Sequence, residues 1–183
     1  MNRSLSRRVL YRRTLVKTSG FTLLEMLVVL LIIGVLAAII APGWAAYITA
    51  QQLDRARDQT YEAMRNAQAQ AKQSRVAWKA SVRTWHGIVQ WAIHPSSSTP
   101  TSWQSLDATV TLDIDNTTLR QTAEGYYQVQ FSHEGQISGQ LGRITLMSQT
   151  GGRARRCVIA STLLGALRKG LDQTSNNQGF SCN

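Results

Sequence analysis

The sequence predicts an α+β protein, in which one long N-terminal helix packs on an antiparallel, β-rich head. Three features predict this fold: a long apolar run near the N-terminus, a helical repeat that continues beyond it, and strand-like alternation from residue 76 onwards. A chain of 183 residues has room for one domain of ordinary size together with a targeting segment. We therefore expect four segments, at residues 1–20, 21–41, 42–75 and 76–183.

The positive charge of the chain is concentrated at its N-terminus. The chain has 20 basic and 10 acidic residues and a formal net charge of +10, yet charged residues make up only 16% of it. Soluble domains average roughly 25% charged residues, so the composition does not fit a uniformly basic nucleic-acid binder. The first 20 residues contain no acid and six basic residues: Arg3, Arg7, Arg8, Arg12, Arg13 and Lys17.

Residues 21–41 form a candidate transmembrane helix. Met26–Ala41 is an unbroken run of 16 apolar residues, and only Thr22 and Glu25 interrupt the longer stretch. About 20 helical residues cross the hydrocarbon core of a bilayer. Because basic residues are more frequent before this stretch than after it, the positive-inside rule places the N-terminus in the cytoplasm. The alternative is a cleaved secretory signal peptide, whose apolar part is usually shorter and ends at a small-x-small site.

The helical pattern continues beyond the apolar run with a different character. Pro42 removes a backbone hydrogen-bond donor and Gly43 adds freedom, so we expect a kink or a melted turn there. A thin, alanine-rich apolar stripe then recurs at spacings of three and four residues. This spacing predicts an amphipathic helix that covers a sheet. The stripe consists of Leu53, Ala56, Thr60, Ala63, Met64, Ala67 and Ala71.

The head is predicted to contain six or seven short antiparallel strands. Its candidate strands are β-branched or aromatic runs, separated by Asp-Asn, Glu-Gly and Gly-Gly turn signals. A segment rich in Ser, Thr and Pro at residues 94–105 is predicted to be an exposed loop. The candidate strands cover residues 76–83, 87–93, 108–114, 126–131, 143–148, 153–160 and 163–168.

The junction Gly20-Phe21-Thr22-Leu23-Leu24-Glu25 resembles the processing site of type IV prepilins and of the related pseudopilins of type II secretion. This resemblance implies that a prepilin peptidase cuts after Gly20 on the cytoplasmic side and that the new N-terminus, Phe21, is N-methylated. It also implies that Glu25 attracts the free α-amino group of a neighbouring subunit's first residue during assembly. A lone carboxylate in a membrane span is costly unless it is partnered. The alternative is a glutamate that stays protonated or reaches the headgroups.

A second resemblance covers residues 125–170. The segments Gly142-Arg143-Ile144-Thr145-Leu146 and Gly151–Arg168, with the turn from Phe131 to Gly135, look like the closing part of minor pilins of the H/FimT type. The resemblance implies a pilin-like fold and the role of a minor subunit. It also implies four kinds of partner: other pilin or pseudopilin subunits, prepilin peptidase, the inner-membrane assembly platform and membrane lipid.

The same resemblance implies where the protein resides. We expect a single-pass protein of the inner (cytoplasmic) membrane with its N-terminus in the cytoplasm and its head outside. After assembly it would belong to a pilus or pseudopilus.

Cys157 and Cys182 are the two cysteines of the chain, and both lie in the part expected outside the cytoplasm. An even pair in an oxidising compartment favours one disulfide, which would fasten the polar C-terminal tail to a strand. Two free thiols are the alternative. Neither cysteine has a second cysteine or a histidine at ligand spacing, so we expect no metal site.

The sequence contains no recognisable catalytic constellation. Its histidines, His86, His94 and His133, are scattered, and it has neither a Walker A loop nor a Rossmann fingerprint. Asp113 and Asp115 lie two apart on a candidate strand, and we expect a solvated turn rather than a calcium site. The chain is therefore predicted not to be an enzyme and to need no cofactor.

Three function classes remain. The leading hypothesis is a minor pilin or pseudopilin, a structural subunit of a type IV pilus or of a type II secretion pseudopilus. The alternative is a DNA-binding minor pilin used in DNA uptake. A membrane-anchored head that never polymerises is the third class, which the Gly-Phe-x-x-x-Glu motif disfavours.

The DNA alternative depends on a basic cluster without any acid. If Ser161-Thr162 connects two antiparallel strands, the two ends of this cluster lie side by side and form a patch that attracts phosphate. The basic cluster consists of Arg153, Arg155, Arg156, Arg168 and Lys169.

Overall fold

The computed structural model describes residues 20–151, 154–174 and 180–182. The chain divides into two compact units, Met1–Pro42 and Gly43–Asn183. Helix α1, Leu23–Ser74, contributes to both units, and all the described strands lie in the second. One long helix followed by antiparallel strands confirms the predicted α+β class.

The first unit contains the apolar part of α1. Neither part of α1, Leu23–Ile39 or Gly43–Ser74, is by itself long and apolar enough to cross a membrane, and no other helix of the described residues is. The two parts taken together form one candidate span by length and composition. The large apolar side chains of Leu23–Ile39 are exposed, from 83% at Leu23 to 42% at Val29. This segment therefore presents an apolar surface on all sides.

In the second unit the amphipathic part of α1 covers the sheets, as predicted. All seven residues of the apolar stripe are buried, and none is more than 2% exposed. Leu53, Met64 and Ala67 share one hydrophobic core with Val129 and Leu146 of the strands. Alanines dominate the stripe because their short side chains let the helix backbone lie close to the sheets.

The helix ends where the chain adopts a left-handed backbone. Arg75 has a φ of 55°, which stops the helix directly after Ser74. The Ser74 hydroxyl donates a hydrogen bond to the Gln70 carbonyl at 2.6 Å and accepts one from the indole of Trp78 at 2.8 Å. The first hydrogen bond lies within the last turn of α1, and the second connects that turn to the first strand.

The strands of the second unit form two antiparallel sheets. The first has the order β3-β2-β1-β5, and the second has the order β4-β6-β7-β8-β9. The bounds are β1 Trp78–Trp85, β2 Ile88–Pro95, β3 Gln104–Ser105, β4 Val110–Leu112, β5 Tyr127–Phe131, β6 Gly142–Ser148, β7 Arg155–Ala160, β8 Leu167–Thr174 and β9 Phe180–Cys182.

The head differs from the prediction at two strands whose pairing is non-local and at the start of a third strand. Nine strands are described instead of six or seven, because Gln104–Ser105 pairs with β2 inside the predicted loop and Phe180–Cys182 pairs with β8 near the C-terminus. The predicted strand at 163–168 is wrong at its start. Its first residues belong to a β-turn, in which the Gly165 amide donates to the Thr162 carbonyl at 3.0 Å, so β8 begins at Leu167.

Candidate assembly segment and basic cluster

The predicted processing and assembly residues lie at the beginning of α1. Gly20 and Phe21 precede the helix, and the side chain of Phe21 is 70% exposed. Glu25 lies in the first helical turn. The Thr22 hydroxyl accepts a hydrogen bond from the backbone amide of Glu25 at 3.2 Å, and the Thr22 carbonyl accepts one from the amide of Met26 at 3.2 Å. Thr22 is therefore the N-cap of the helix.

Thr22 is a site residue that the sequence analysis does not identify. The signal was present, because a threonine followed three residues later by a glutamate is the capping-box pattern. The cap fixes the start of the helix two residues after Phe21. An acidic side chain in the first turn is also favoured by the helix dipole. Glu25 is therefore held in an ordered turn close to the predicted mature N-terminus.

Arg155, at the start of β7, forms an ion pair with Asp113, whose residue surface is only 3% exposed. The side-chain amide of Asn116 donates to the same carboxylate at 2.9 Å, and the backbone amide of Asn116 does so at 3.3 Å. Burial alone would raise the pKa of Asp113, but the hydrogen bonds from Arg155 and Asn116 outweigh it and hold that pKa below its usual value. The expected turn is present and Asp115 is exposed in it, but the expectation that Asp113 is solvated is wrong.

Two further cations of the basic cluster connect the second sheet to α1. Arg156 Nε donates to Asp54 Oδ1 at 2.7 Å. Lys169 Nζ lies 3.2 Å from Asp58 Oδ1 and 4.8 Å from the centre of the Tyr61 ring. These cations are thus engaged with carboxylates and an aromatic ring of the helix.

Arg57 of α1 completes this charged network by bridging both carboxylates, at 3.1 Å from Asp54 and 2.9 Å from Asp58. Partial burial raises the pKa of Asp58, but the hydrogen bonds from Arg57 and Lys169 outweigh it and keep that pKa below its usual value. The network therefore favours the ionised form of the helix carboxylate.

The structure does not bring the basic cluster together as the sequence suggests. In the β7–β8 register Arg168 lies opposite Ile159, and Lys169 lies opposite Val158. The predicted proximity of Arg155 to these two residues is wrong, because the connection spans Ser161–Ala166 rather than two residues. Arg155 and Arg156 reach different partners, Asp113 beside β4 and Asp54 of α1, which agrees with the opposite faces that strand alternation predicts. Arg168 is exposed, and Arg153 lies outside the described residues.

The predicted disulfide joins Cys157 to Cys182, with 6.5 Å between the Cα atoms. It connects β7, in the interior of the second sheet, to the terminal strand β9. Gly170 lies next to the disulfide, because a Cβ atom there would be 2.6 Å from Cys157 Sγ and 2.8 Å from Cys182 Sγ. The fold therefore needs a glycine at that position.

The described residues contain no group of three or more His, Cys, Asp or Glu side chains that could hold a metal ion. His94 is buried, and its two ring nitrogens lie 2.9 Å from the Ser81 hydroxyl and 3.0 Å from the Pro95 carbonyl. These contacts indicate a structural role for His94.

Comparison with known proteins supports a prepilin-type N-terminus. Residues 16–41 match the family model described as the prokaryotic N-terminal methylation motif. This match confirms the resemblance noted at Gly20-Phe21 and includes Glu25. No curated protein matches the chain.

Two kinds of solved structure are similar to the chain. The type IV minor pilin FimU of Pseudomonas aeruginosa is 14% identical, with a TM-score of 0.46 over 65% of this chain and 88% of that one. The minor pseudopilin EpsH of the type 2 secretion system of Vibrio cholerae is 12% identical, with a TM-score of 0.47 over 64% and 95% of the two chains. Because both TM-scores are below 0.5, these matches do not carry the fold assignment, which rests on the helix and sheets of the chain itself.

Proposed function

We propose that this chain is a structural, non-enzymatic subunit of a type IV pilus or of a type II secretion pseudopilus, in the role of a minor pilin or pseudopilin. The observation that carries the proposal is the N-terminal methylation motif at residues 16–41. Prepilin peptidase would remove residues 1–20, and the subunit would then assemble through its N-terminal helix. The exposed apolar surface of Leu23–Ile39 suits contact with lipid before assembly and with neighbouring helices afterwards.

The motif implies a membrane-anchored N-terminal helix. We place its basic N-terminus in the cytoplasm and the head outside, following the positive-inside rule. In this arrangement residues 21–41 are the membrane segment, residues 42–75 continue the helix and residues 76–183 form the head. The partners would be other pilin or pseudopilin subunits, the peptidase, the assembly platform of the inner membrane and membrane lipid.

The DNA-binding alternative is not supported. Phosphate contacts dominate non-specific DNA affinity and need available cations. In the described structure Arg155, Arg156 and Lys169 already pair with carboxylates. The β7–β8 hairpin has a different register from the predicted hairpin that would join both ends of the basic cluster.

Processing tests the proposal directly. When the full chain is produced together with an active prepilin peptidase, we expect mass spectrometry to find a mature protein that begins at N-methylated Phe21. The variant Gly20→Leu should stay uncut, because a bulky side chain then precedes the cleaved bond. The control Gly34→Leu should be cut normally, since a side chain at Gly34 meets no atom within 4 Å. A product that begins at Met1, or beyond Ala41, would contradict the proposal.

Glu25 tests the assembly step. We expect Glu25→Ala to be inserted and processed normally but to enter filaments about tenfold less than the parent chain, because it leaves the neighbouring α-amino group without its buried partner. The measurement is the subunit content of sheared filaments relative to the membrane pool. Glu124→Ala removes an exposed head carboxylate that belongs to neither proposed site and serves as the control. Equal incorporation of Glu25→Ala and the parent chain would contradict this role.

A further inference from the structure

The connection between β7 and β8 carries two exposed leucines at the tip of a turn. Leu163 is 57% exposed and Leu164 is 81% exposed. They are the central residues of the β-turn Thr162–Gly165, which is closed by a 3.0 Å hydrogen bond from the Gly165 amide to the Thr162 carbonyl. The Thr162 hydroxyl also accepts a hydrogen bond from the Ala166 amide at 3.3 Å.

Leucine is an unusual choice at these two positions. The central residues of β-turns are mostly Gly, Pro, Asn, Asp or Ser, each of which suits the turn backbone or the solvent. A single exposed leucine is ordinary on a protein surface. Two adjacent leucines at a turn tip contradict the local preference, and such contradictions concentrate at functional sites.

The backbone of the turn is hydrogen-bonded to the rest of the head, which fixes the position from which both leucines project. Gln68 of α1 is buried, and its side-chain amide donates to the Gly165 carbonyl at 2.9 Å and to the Gly135 carbonyl at 2.7 Å. The Leu163 carbonyl accepts a hydrogen bond from the Ile137 amide at 2.8 Å. Both glycines adopt the left-handed backbone, with φ values of 91° and 81°.

Two cations of α1 lie beside the turn Thr162–Gly165, which we call the clamped turn because Gln68 holds its backbone. Arg65 Nη1 donates to Gln68 Oε1 at 3.0 Å. Arg65 and Lys72 line one small cleft together with Gln68, and Lys72 also contacts the turn at Gly135. Glu134 supplies a carboxylate in that neighbouring turn. The tip of this surface is therefore apolar, and among the three charged groups named near its base the cations Arg65 and Lys72 outnumber the acid Glu134.

We propose that Leu163 and Leu164 form a docking knob for a neighbouring pilin-like subunit, which receives them in an apolar depression rimmed by carboxylates. This inference rests on the proposed function and adds a head-to-neighbour contact to assembly through the N-terminal helix. The clamped turn suits a preformed protein pocket, because little conformational freedom is lost on docking. Lipid is the other occupant to test, because the head belongs to a membrane-anchored chain, and the crosslink described below distinguishes lipid from a subunit.

The test compares substitutions of the knob in the full chain, with subunit content of sheared filaments as the readout. We expect Leu163→Ser with Leu164→Ser to reduce incorporation about tenfold. Leu164→Asp should reduce it more than Leu164→Lys, because an acidic rim repels the carboxylate. Ile114→Ser, which removes another exposed aliphatic side chain at 67%, should have no effect. Equal incorporation of the double variant, or a greater loss with lysine than with aspartate, would overturn the proposal.

A photo-crosslinking residue at position 164 identifies the occupant. We expect a crosslink to another subunit of the filament, whereas crosslinks to lipid alone, or none, would overturn the proposal. Each variant should keep the melting temperature of the parent chain in detergent, which separates lost docking from lost folding. If the parent chain enters filaments and the knob variants do so equally, this inference alone fails. If the processed parent chain never enters filaments, the proposed function fails and this inference fails with it.

Discussion

At the residue scale, Asp113 shows how a buried charge can be hidden in a sequence. It follows the short strand β4, and its backbone amide donates to the Thr145 carbonyl of β6 at 2.9 Å. Its carboxylate forms an ion pair with Arg155, which lies 42 residues later in the chain. Nothing in the local spacing of Asp113 and Asp115 points to that partner. The local sequence therefore predicts a solvated side chain at a residue that holds the edge of the second sheet to β7.

This ion pair makes the free energy of unfolding depend on pH in the acidic range. Because hydrogen bonds hold the folded pKa of Asp113 below that of the unfolded chain, its contribution is complete above a pH of about 4 and is lost as pH falls through the folded pKa. We expect Asp113→Asn to weaken this acid dependence. Arg155→Met should reduce the free energy of unfolding by about 3 kcal/mol near neutral pH, since it leaves a buried carboxylate without its cation.

Urea unfolding of the full chain in detergent, followed at several pH values, measures both effects. Asp115→Asn is the matched control, because Asp115 is exposed and two residues away. An acid dependence that is identical in the parent chain and in Asp113→Asn would contradict this role.

At the element scale, the sequence is most informative where contacts are local. The stripe from Leu53 to Ala71 is predicted residue by residue, because a helix places positions three and four apart on one face. Strands β3 and β9 escape prediction for the opposite reason. They are short, and only their pairing with β2 and β8 makes them strands. The beginning of β8 is misplaced because the apolar pair Leu163-Leu164 resembles a strand while it forms a turn.

The two hydrogen bonds from the Gln68 side chain of α1 to the Gly135 and Gly165 carbonyls form a clamp, which gives a prediction at this scale. A Cβ atom at Gly165 would collide with the Gly135 carbonyl oxygen and lie 2.5 Å from Gln68 Nε2, and the φ of 91° is itself unfavourable for alanine. We expect Gly165→Ala to lower the free energy of unfolding by about 3 kcal/mol, through backbone strain and steric collision together.

Gly151→Ala is the matched control for this clamp. Gly151 has a φ of 89°, but a Cβ atom there meets nothing within 4 Å, so only the backbone cost of about 1–2 kcal/mol applies. Chemical unfolding of both variants measures the difference. Equal losses would show that the contact with Gln68 and Gly135 adds nothing to the strain.

At the scale of the whole molecule, the two candidate sites differ in how far the sequence reveals them. Gly20, Phe21 and Glu25 lie within six consecutive residues, so a resemblance read along the chain identifies them, and the methylation-motif match covers the same residues. The docking knob depends on Gln68, which is 97 residues from Gly165 in sequence. A contact between residues so far apart in the sequence can be recognised only in the folded structure, where the helix, the two turns and the second sheet come together.

The disulfide cross-links β7 to β9 in the second unit, and its removal gives the last prediction. It closes a loop with a sequence separation of 25 residues, and by loop entropy it stabilises the fold by about 3 kcal/mol. We expect Cys157→Ala with Cys182→Ala to lower the free energy of unfolding by that amount and to release β9 first, since this three-residue strand pairs with β8 alone. Hydrogen exchange should then show lost protection at Phe180–Cys182 while the β1–β2 hairpin keeps its own. Reductant should produce the same change in the parent chain and none in the double variant. Unchanged protection of β9 in the double variant would show that strand pairing, rather than the disulfide, holds the C-terminus in place.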